Sequence, residues 1–228
     1  MVNQEFDIVG IGNAIVDVIT DVNEEFLNKK KLRKGLMSLV DLDSIKSLSE
    51  EIEIKANVSG GSVANSIVAL AQNNIKTAFI GKVGEDKVGN SFIKGLEKEK
   101  VIFANTAQSD ESETGRCLVM VTPDAQRTMS TYLGISQKLN ASDINKEVIS
   151  HSKITYLEGY LWDLDDAQEA IKKAIKIAKD AGKIVAFSVS DVFCIERFRE
   201  SFLDLVNNEA NIIFANEEEI KSLYQKDN

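Results

Sequence analysis

The sequence predicts an α/β fold, in which helices cover both faces of a mostly parallel sheet and a small β lid lies beside it. From residue 154 onward, short apolar runs alternate with amphipathic helical segments, which is typical of a parallel sheet between two helical layers. A polar hairpin around Pro123, the only proline, interrupts this alternation. The 228 residues are expected to form one domain over 1–228, with lid strands from about 14–40 and 101–133.

The individual elements follow from the spacing of the apolar residues. In the first half, strands are predicted at residues 6–11, 14–22, 35–40 and 77–81, and helices at 41–48, 62–73 and 87–98. The hairpin supplies strands at 117–122 and 127–133. The regular second half has predicted strands at 154–157, 184–189 and 212–214, and predicted helices at 165–181, 195–206 and 216–224.

Composition excludes several classes of function. The formal net charge of −9 argues against nucleic acid or an anionic membrane as the main partner, because both need a basic protein surface. The single histidine, His151, excludes a histidine-rich metal site and gives no support to a Ser-His-Asp or Cys-His mechanism. No apolar run approaches the ~18 residues of a membrane span, and the N-terminus lacks the basic segment of a signal peptide. We therefore expect a cytoplasmic protein.

A pair of glycines, Gly60 and Gly61, stands directly before a helix with an apolar face. Glycine lets the backbone approach a ligand closely, and the free N–H groups of a helix N-terminus favour hydroxyl-rich or anionic ligands. Ser62 is predicted to cap this helix, and Asn65 would lie one turn inside it, near the same opening. The alternative is a tight loop before a buried helix, without any ligand.

Several segments carry, in order along the chain, a resemblance to a known family. They are residues 10–17, 59–65, 79–86, 115–129, 156–160 and 213–219. Together they resemble the PfkB (ribokinase-like) family of sugar and nucleoside kinases, and within it the bacterial adenosine kinase-like group. The resemblance covers essentially the whole chain. It implies a ribokinase-like fold and a phosphotransferase that uses ATP and Mg²⁺ to phosphorylate a primary hydroxyl of a nucleoside or sugar.

By this resemblance, Asn13 and Asp17 hold sugar hydroxyls. A carboxylate accepts two hydroxyl hydrogen bonds, and a carboxamide both donates and accepts. Asp17 also stands among the apolar residues 16, 18 and 19, where an unpaired charge is costly, and this favours a functional role over a solvated strand residue. Gly60, Gly61, Ser62 and Asn65 are expected to complete this substrate site.

The resemblance also suggests residues for phosphoryl transfer. Arg127, after the lid turn, is similar to the family arginine that approaches the phosphates, although an exposed hairpin arginine is also an ordinary surface residue. Asn216 and Glu219 match an Asn-x-x-Glu motif that arranges magnesium, water and phosphate, with Glu219 acting on the metal through water. The same spacing is that of a capping box, which any helix uses, so spacing alone does not separate the two interpretations.

The acidic stretch 162–166 and Asp191 could suggest a metal site. Because each stands at the start of a predicted helix, N-capping and favourable interaction with the helix dipole are the better interpretation.

The decisive Gly-Ala-Gly-Asp motif of the family, which supplies an anion hole and a catalytic base, is missing from the sequence. A phosphoryl transfer without these groups is expected to be negligible, so we expect this chain to be an N-terminal fragment of a kinase. The alternative is a non-catalytic protein that binds a sugar or nucleoside. A homodimer through the lid is a further expectation. A dinucleotide-dependent oxidoreductase is disfavoured, because Ile15 replaces the third glycine of the fingerprint that begins at Gly10 and Gly12.

Overall fold

The computed structural model describes residues 5–109 and 112–226. The strands are β1 (Phe6–Ile11), β2 (Ile15–Asp21), β3 (Met37–Leu39), β4 (Ala56–Gly60), β5 (Thr77–Ile80), β6 (Ile102–Phe103), β7 (Thr114–Val121), β8 (Arg127–Gly134), β9 (Ser152–Glu158), β10 (Ile184–Ser188) and β11 (Ile212–Phe214). The α-helices are α1 (Glu24–Lys29), α2 (Leu42–Glu50), α3 (Ser62–Gln72), α4 (Lys87–Lys98), α5 (Lys146–Ser150), α6 (Asp165–Asp180), α7 (Val192–Asp204) and α8 (Glu217–Tyr224).

The main sheet has six parallel strands in the order β11-β10-β9-β1-β5-β6. One core, on one face of the sheet, joins buried residues of β1 to those of α5, α6, α7 and α8. A second core joins β1 and β5 to α3 and α4 on the other face. Apolar residues on both faces of the strands explain this packing, because each face buries a helical layer. The predicted α/β sandwich is confirmed.

The second sheet has five strands in the order β3-β8-β7-β2-β4. One of its faces packs into the second core through Val16, Val18 and Leu118, and its other face carries a small cluster of Ile15, Cys117 and Val119. The predicted hairpin around Pro123 is present as β7 and β8. This sheet is the lid. Residues 12–14 connect its strand β2 to strand β1 of the main sheet.

Two strands depart from the expectations for the lid. β4 belongs to the lid sheet, where it pairs antiparallel with β2, but its short run Ala-Asn-Val-Ser-Gly carries no strand signal. Three of its five residues are exposed, so the alternation that would reveal a half-buried strand is absent. β6 lies within the predicted lid region 101–133, but it pairs with β5 at the edge of the main sheet.

The start of α3 differs from the prediction. Ser62 is not the N-cap but the first helical residue, and its side chain is exposed. The N-cap is Gly61, whose φ of 102° lies in the region that glycine adopts without strain. A Cβ at residue 61 would lie 2.3 Å from the carbonyl oxygen of Asn13. Glycine is therefore required here by conformation and by close backbone packing.

Two groups of exposed apolar side chains lie on the two sheets, among others elsewhere on the described surface. On the lid, Leu36, Leu39 and Val58 are each about half exposed. On the main sheet, Ile212 and Phe214 of β11 are exposed, although the Phe214 ring contacts Tyr156 edge to face. Homodimer formation through the lid stays a prediction. Within residues 5–109 and 112–226, no helix has the length and apolar character needed to span a bilayer.

Candidate functional site

A cavity of about 450 Å³ lies between the lid and the carboxyl ends of β1, β9 and β10. Asn13 follows β1, Glu158 ends β9, and Asp191 follows β10, and all three line this cavity. The carboxyl edge of a parallel sheet is where ligands bind in open α/β folds, because the strand ends and the connecting loops converge there. The cavity is therefore the candidate functional site.

The structure brings most of the predicted substrate residues together. Asn13, Asp17, Gly61, Ser62 and Asn65 all line the cavity. Asp17 on β2 and Asn65, one turn into α3, therefore face a common cleft, as expected. Their roles toward a ligand stay predictions.

The other predicted residues lie outside the cavity lining. Gly60 ends β4 beside Asp17 without lining the cavity. Arg127 is an exposed residue at the start of β8, opposite Val121. It lies two residues along β8 from Met129, which lines the cavity, a distance of about 7 Å along a strand. Asn216 and Glu219 lie after β11. The structure does not bring these four residues to the cavity, and their predicted roles stay open.

Asp17 lies on the cavity face of β2, between Val58 of β4 and Cys117 of β7. In the part of the chain that the structure describes, its carboxylate oxygens have neither a hydrogen-bond nor an ion-pair partner. Burial disfavours the charged form and raises the pKa of Asp17 to about 6. A partly buried carboxylate without protein partners is available to accept hydrogen bonds from a ligand.

Glu158 holds the two sides of the site together, and the sequence analysis assigned it no role. Its Oε1 accepts hydrogen bonds from the Asn13 backbone N–H at 2.7 Å and the Asn13 side-chain amide at 3.0 Å. Its Oε2 accepts from the Val63 N–H of α3 at 3.0 Å. Burial raises the pKa of Glu158, while these three hydrogen bonds act in the opposite direction. The signal in the sequence is a glutamate at the end of a buried strand, where it needs several partners.

Asn13 is fixed by hydrogen bonds at both ends of its amide. Its Nδ2 donates to Glu158, and its Oδ1 accepts from the Ser136 hydroxyl at 3.0 Å. The single proton of this hydroxyl is shared with the Leu133 carbonyl, whose oxygen lies 2.6 Å from Ser136 Oγ. The orientation of this buried amide is therefore set before any ligand arrives.

The acidic residues near α6 and α7 behave differently from one another. Asp191 is the N-cap of α7 and accepts from the Phe193 N–H at 3.1 Å, so the capping interpretation is confirmed for it. Asp163 does not cap α6, whose N-cap Leu164 makes no side-chain bond, and instead pairs with Arg197 of α7. Both carboxylates line the cavity, together with Asp17 and Glu158. Among the cavity-lining residues in 5–109 and 112–226 there is no lysine or arginine.

Apart from Asp17, Cys117 and Thr131, the lid side of the cavity is apolar. Its side chains come from β2, from the loop and strand around β3, and from β8: Ile15, Leu36, Met37, Leu39, Met129 and Leu133. Phe193, at the start of α7, adds an aromatic ring. The cavity thus has a polar end at the main sheet and an apolar wall under the lid.

Asn216 and Glu219 form a complete capping box. The Asn216 side chain accepts from the Glu219 N–H at 2.8 Å, and Glu219 accepts from the Asn216 N–H at 3.0 Å and from its side-chain amide at 2.9 Å. Glu219 is buried. Over residues 5–109 and 112–226, no cluster of three histidine, cysteine, aspartate or glutamate side chains could hold a metal ion. Both carboxylate oxygens of Glu219 are taken up by Asn216, as the capping interpretation predicts, and its action on Mg²⁺ through water stays a prediction.

Comparison with known proteins agrees with this geometry. The model of the pfkB family carbohydrate kinases matches residues 39–228. An adenosine kinase structure from Sinorhizobium meliloti is similar with a TM-score of 0.90 and 35% identity, over 99% of this chain and 69% of that chain. A 5-dehydro-2-deoxygluconokinase from Clostridium perfringens is 25% identical over 223 residues, which cover 95% of this chain. An adenosine kinase from Saccharomyces cerevisiae is 27% identical over 226 residues, which cover 94% of this chain and 65% of the yeast protein.

The chain spans 59% of the length of the Clostridium perfringens relative. The family match nevertheless covers well over half of the chain, and the similarity to the Sinorhizobium meliloti structure covers nearly all of it. The main sheet and the lid are formed by one chain, and both contribute residues to the cavity. The chain belongs to the pfkB family of carbohydrate kinases.

Proposed function

We propose that this chain carries the acceptor site of an ATP-dependent phosphotransferase that phosphorylates a primary hydroxyl of a nucleoside such as adenosine. The observation that carries the proposal is the Asp17 carboxylate, which faces the cavity without a protein partner in the described part of the chain. Asn13 and Asn65 line the same cavity and offer both donors and acceptors. Such a set suits a ligand with neighbouring hydroxyl groups, such as a ribose.

The apolar wall favours a nucleoside over a free sugar. Leu36, Met37 and Met129 offer contacts to a flat, weakly polar group, and a nucleobase provides one. A free hexose presents hydroxyls on every side and would leave some of them unpaired against this wall. A free sugar is the second candidate, because the polar groups of the cavity could bind sugar hydroxyls without any nucleobase.

The family activity further requires ATP and a divalent cation. Mg²⁺ neutralises charge on the transferring phosphates when it is bound. Asn216 and Glu219 would act on that cation through water, and Arg127 would approach the phosphates. The sequence contains no Gly-Ala-Gly-Asp motif, so a catalytic base for the acceptor hydroxyl is not assigned. The runner-up is a protein that binds the nucleoside without transferring phosphate.

An ATP-consumption assay over a panel of nucleosides and sugars tests the proposal. Turnover with a nucleoside that disappears in Asp17→Ala is expected for a kinase. Saturable binding without turnover, measured by calorimetry, would support the non-catalytic alternative. Absence of both for every nucleoside and sugar would contradict the proposed acceptor site.

A sugar acid is expected to be a poor acceptor. Four carboxylates line the cavity, and within the described residues only Asp163 has an ion-pair partner, Arg197, which does not line it. Since no lysine or arginine of the described chain lines the cavity, an anionic ligand meets like charges. We expect adenosine to exceed 5-dehydro-2-deoxygluconate in kcat/KM, or in affinity if turnover is absent, by at least about 100-fold, or ~2.7 kcal/mol. Equal or better use of the gluconate would show that the charge of the cavity does not set the acceptor class.

Acceptor binding is expected to weaken in acid. Asp17 with a pKa of about 6 is ionised at pH 8 and largely protonated at pH 5, where it can no longer accept hydrogen bonds with both oxygens. The affinity measured by calorimetry should be constant between pH 7 and 8 and fall by roughly tenfold per pH unit below 6. Asp17→Asn is the control, and its weak binding should lose this part of the pH dependence.

A further inference from the structure

Gly60 faces the carboxylate of Asp17 from the neighbouring strand. In the antiparallel pairing of β2 with β4, Ile15 lies opposite Gly60 and Asp17 lies opposite Val58. Residues 58 and 60 share one face of β4, so position 60 is the diagonal neighbour of Asp17. A Cβ placed on Gly60 would lie 2.4 Å from Cγ and Oδ2 of Asp17 and 2.6 Å from Oδ1. The three nearest atoms all belong to this one carboxyl group.

Backbone conformation does not explain the glycine at residue 60. The φ of Gly60 lies outside the left-handed region, whereas the φ of Gly61 is 102°. An alanine at residue 60 would therefore meet no conformational barrier, and the nearest obstacle is the Asp17 side chain. Glycine is therefore present at residues 60 and 61 for two different physical reasons.

We propose that Gly60 is a positioning residue for Asp17: because β4 carries no side chain there, the Asp17 carboxylate lies against the strand backbone and faces the cavity. Gly60 does not line the cavity, so it acts through Asp17 and not by contact with a ligand. The inference rests on the proposed function only for the identity of the acceptor.

The surroundings of Asp17 define what an added methyl group would change. β4 carries no titratable side chain, and β7 presents the Cys117 thiol, whose pKa burial raises to about 12, so that it is neutral at pH 7. The other titratable groups that line the cavity in the described part of the chain are Glu158, Tyr160, Asp163 and Asp191. A methyl group at residue 60 would push the carboxylate away from β4 and into the more hydrated cavity. Its pKa would then fall from about 6 toward the ordinary value of 3.8.

The test compares the wild-type protein with Gly60→Ala, Asp17→Ala and the double variant. In Gly60→Ala, the Asp17 carboxyl pKa, followed by NMR titration of ¹³C-labelled aspartate, is expected to fall by at least about one unit. Adenosine affinity at pH 7.5 is expected to fall more than about tenfold. In the Asp17→Ala background, Gly60→Ala should leave the thermal unfolding midpoint nearly unchanged, because the obstacle is gone. Asn57→Ala, an exposed change on the opposite face of β4, is the matched control.

Each outcome decides the proposal. It is overturned if Gly60→Ala leaves the Asp17 pKa unchanged, or if the substitution lowers the unfolding midpoint equally with and without the Asp17 side chain. If Gly60→Ala fails to fold, folding of the double variant supports the proposal and failure of both overturns it. The pKa and the unfolding midpoint are measured without ligand. These two measurements therefore test the role of Gly60 separately from the proposed function. Failure of the proposed function would appear as absent adenosine binding in the wild-type protein.

Discussion

Glu158→Ala is expected to lower the free energy of unfolding by about 3 kcal/mol or more. The substitution removes the acceptor of three hydrogen bonds, from two N–H groups of Asn13 and from the N–H of Val63. Glu158 is 1% exposed, so these buried donors lose their protein partner. Chemical denaturation of the wild-type and variant proteins measures the difference.

Two further variants sharpen the Glu158 test. Glu158→Gln keeps the shape and one oxygen acceptor but turns an NH₂ group toward a donor, so about half of the loss should remain. Glu196→Ala, on the exposed face of α7, should change stability by less than about 0.5 kcal/mol. A loss below ~1 kcal/mol in Glu158→Ala would mean that the buried carboxylate does not hold Asn13 and α3 in place.

Asp17→Asn is expected to raise stability and to weaken acceptor binding in the same protein. The folded-state pKa of Asp17 is about 6, above the unfolded value of 3.8, so the folded state binds the proton more tightly. The wild-type protein therefore loses stability as the pH rises from about 4 through 6, and asparagine avoids this loss. Since Asp17 is partly exposed, we expect a gain on the order of 2 kcal/mol at pH 8 and almost none at pH 4.

The binding part of the Asp17 prediction has the opposite sign. Asparagine retains one oxygen acceptor and no charge, so adenosine affinity should fall by about 100-fold at pH 8. Thermal unfolding at pH 4 and pH 8, with calorimetric titration at pH 8, measures both effects. Asp43→Asn, at an exposed position of α2, should change neither stability nor affinity appreciably. An Asp17→Asn protein that is less stable at pH 8 would show that protein groups already satisfy the wild-type carboxylate.

The parts of the fold with strong local signals could be predicted from the sequence. The bounds of α4 follow from apolar residues such as Phe92 and Leu96 at helical spacing, both of which are buried. β1 is a continuous apolar run because helices cover both sides of it. β4 has no such signal, since its place in the lid comes from pairing with β2 across about 40 residues of sequence.

The candidate site divides in the same way. Asp17 could be found because a charge within an apolar strand is expensive, whatever the fold. Glu158 and Asn13 are 145 residues apart, so their hydrogen bonds exist only in the folded chain. The apolar wall is likewise assembled from residues such as Met37 and Met129, which pair across β3 and β8. Asp163 could not be assigned from its neighbours, because its partner Arg197 lies on another helix.

The short connection between β1 and β2 has a consequence for how the molecule can move. Residues 12–14 are buried, and they are one of the segments through which the chain passes from the main sheet to the lid. A rotation of the lid about this connection would act on Asn13, the residue that Glu158 fixes through two hydrogen bonds. A change in the angle between the two sheets would therefore strain the same hydrogen bonds that orient the Asn13 amide in the cavity.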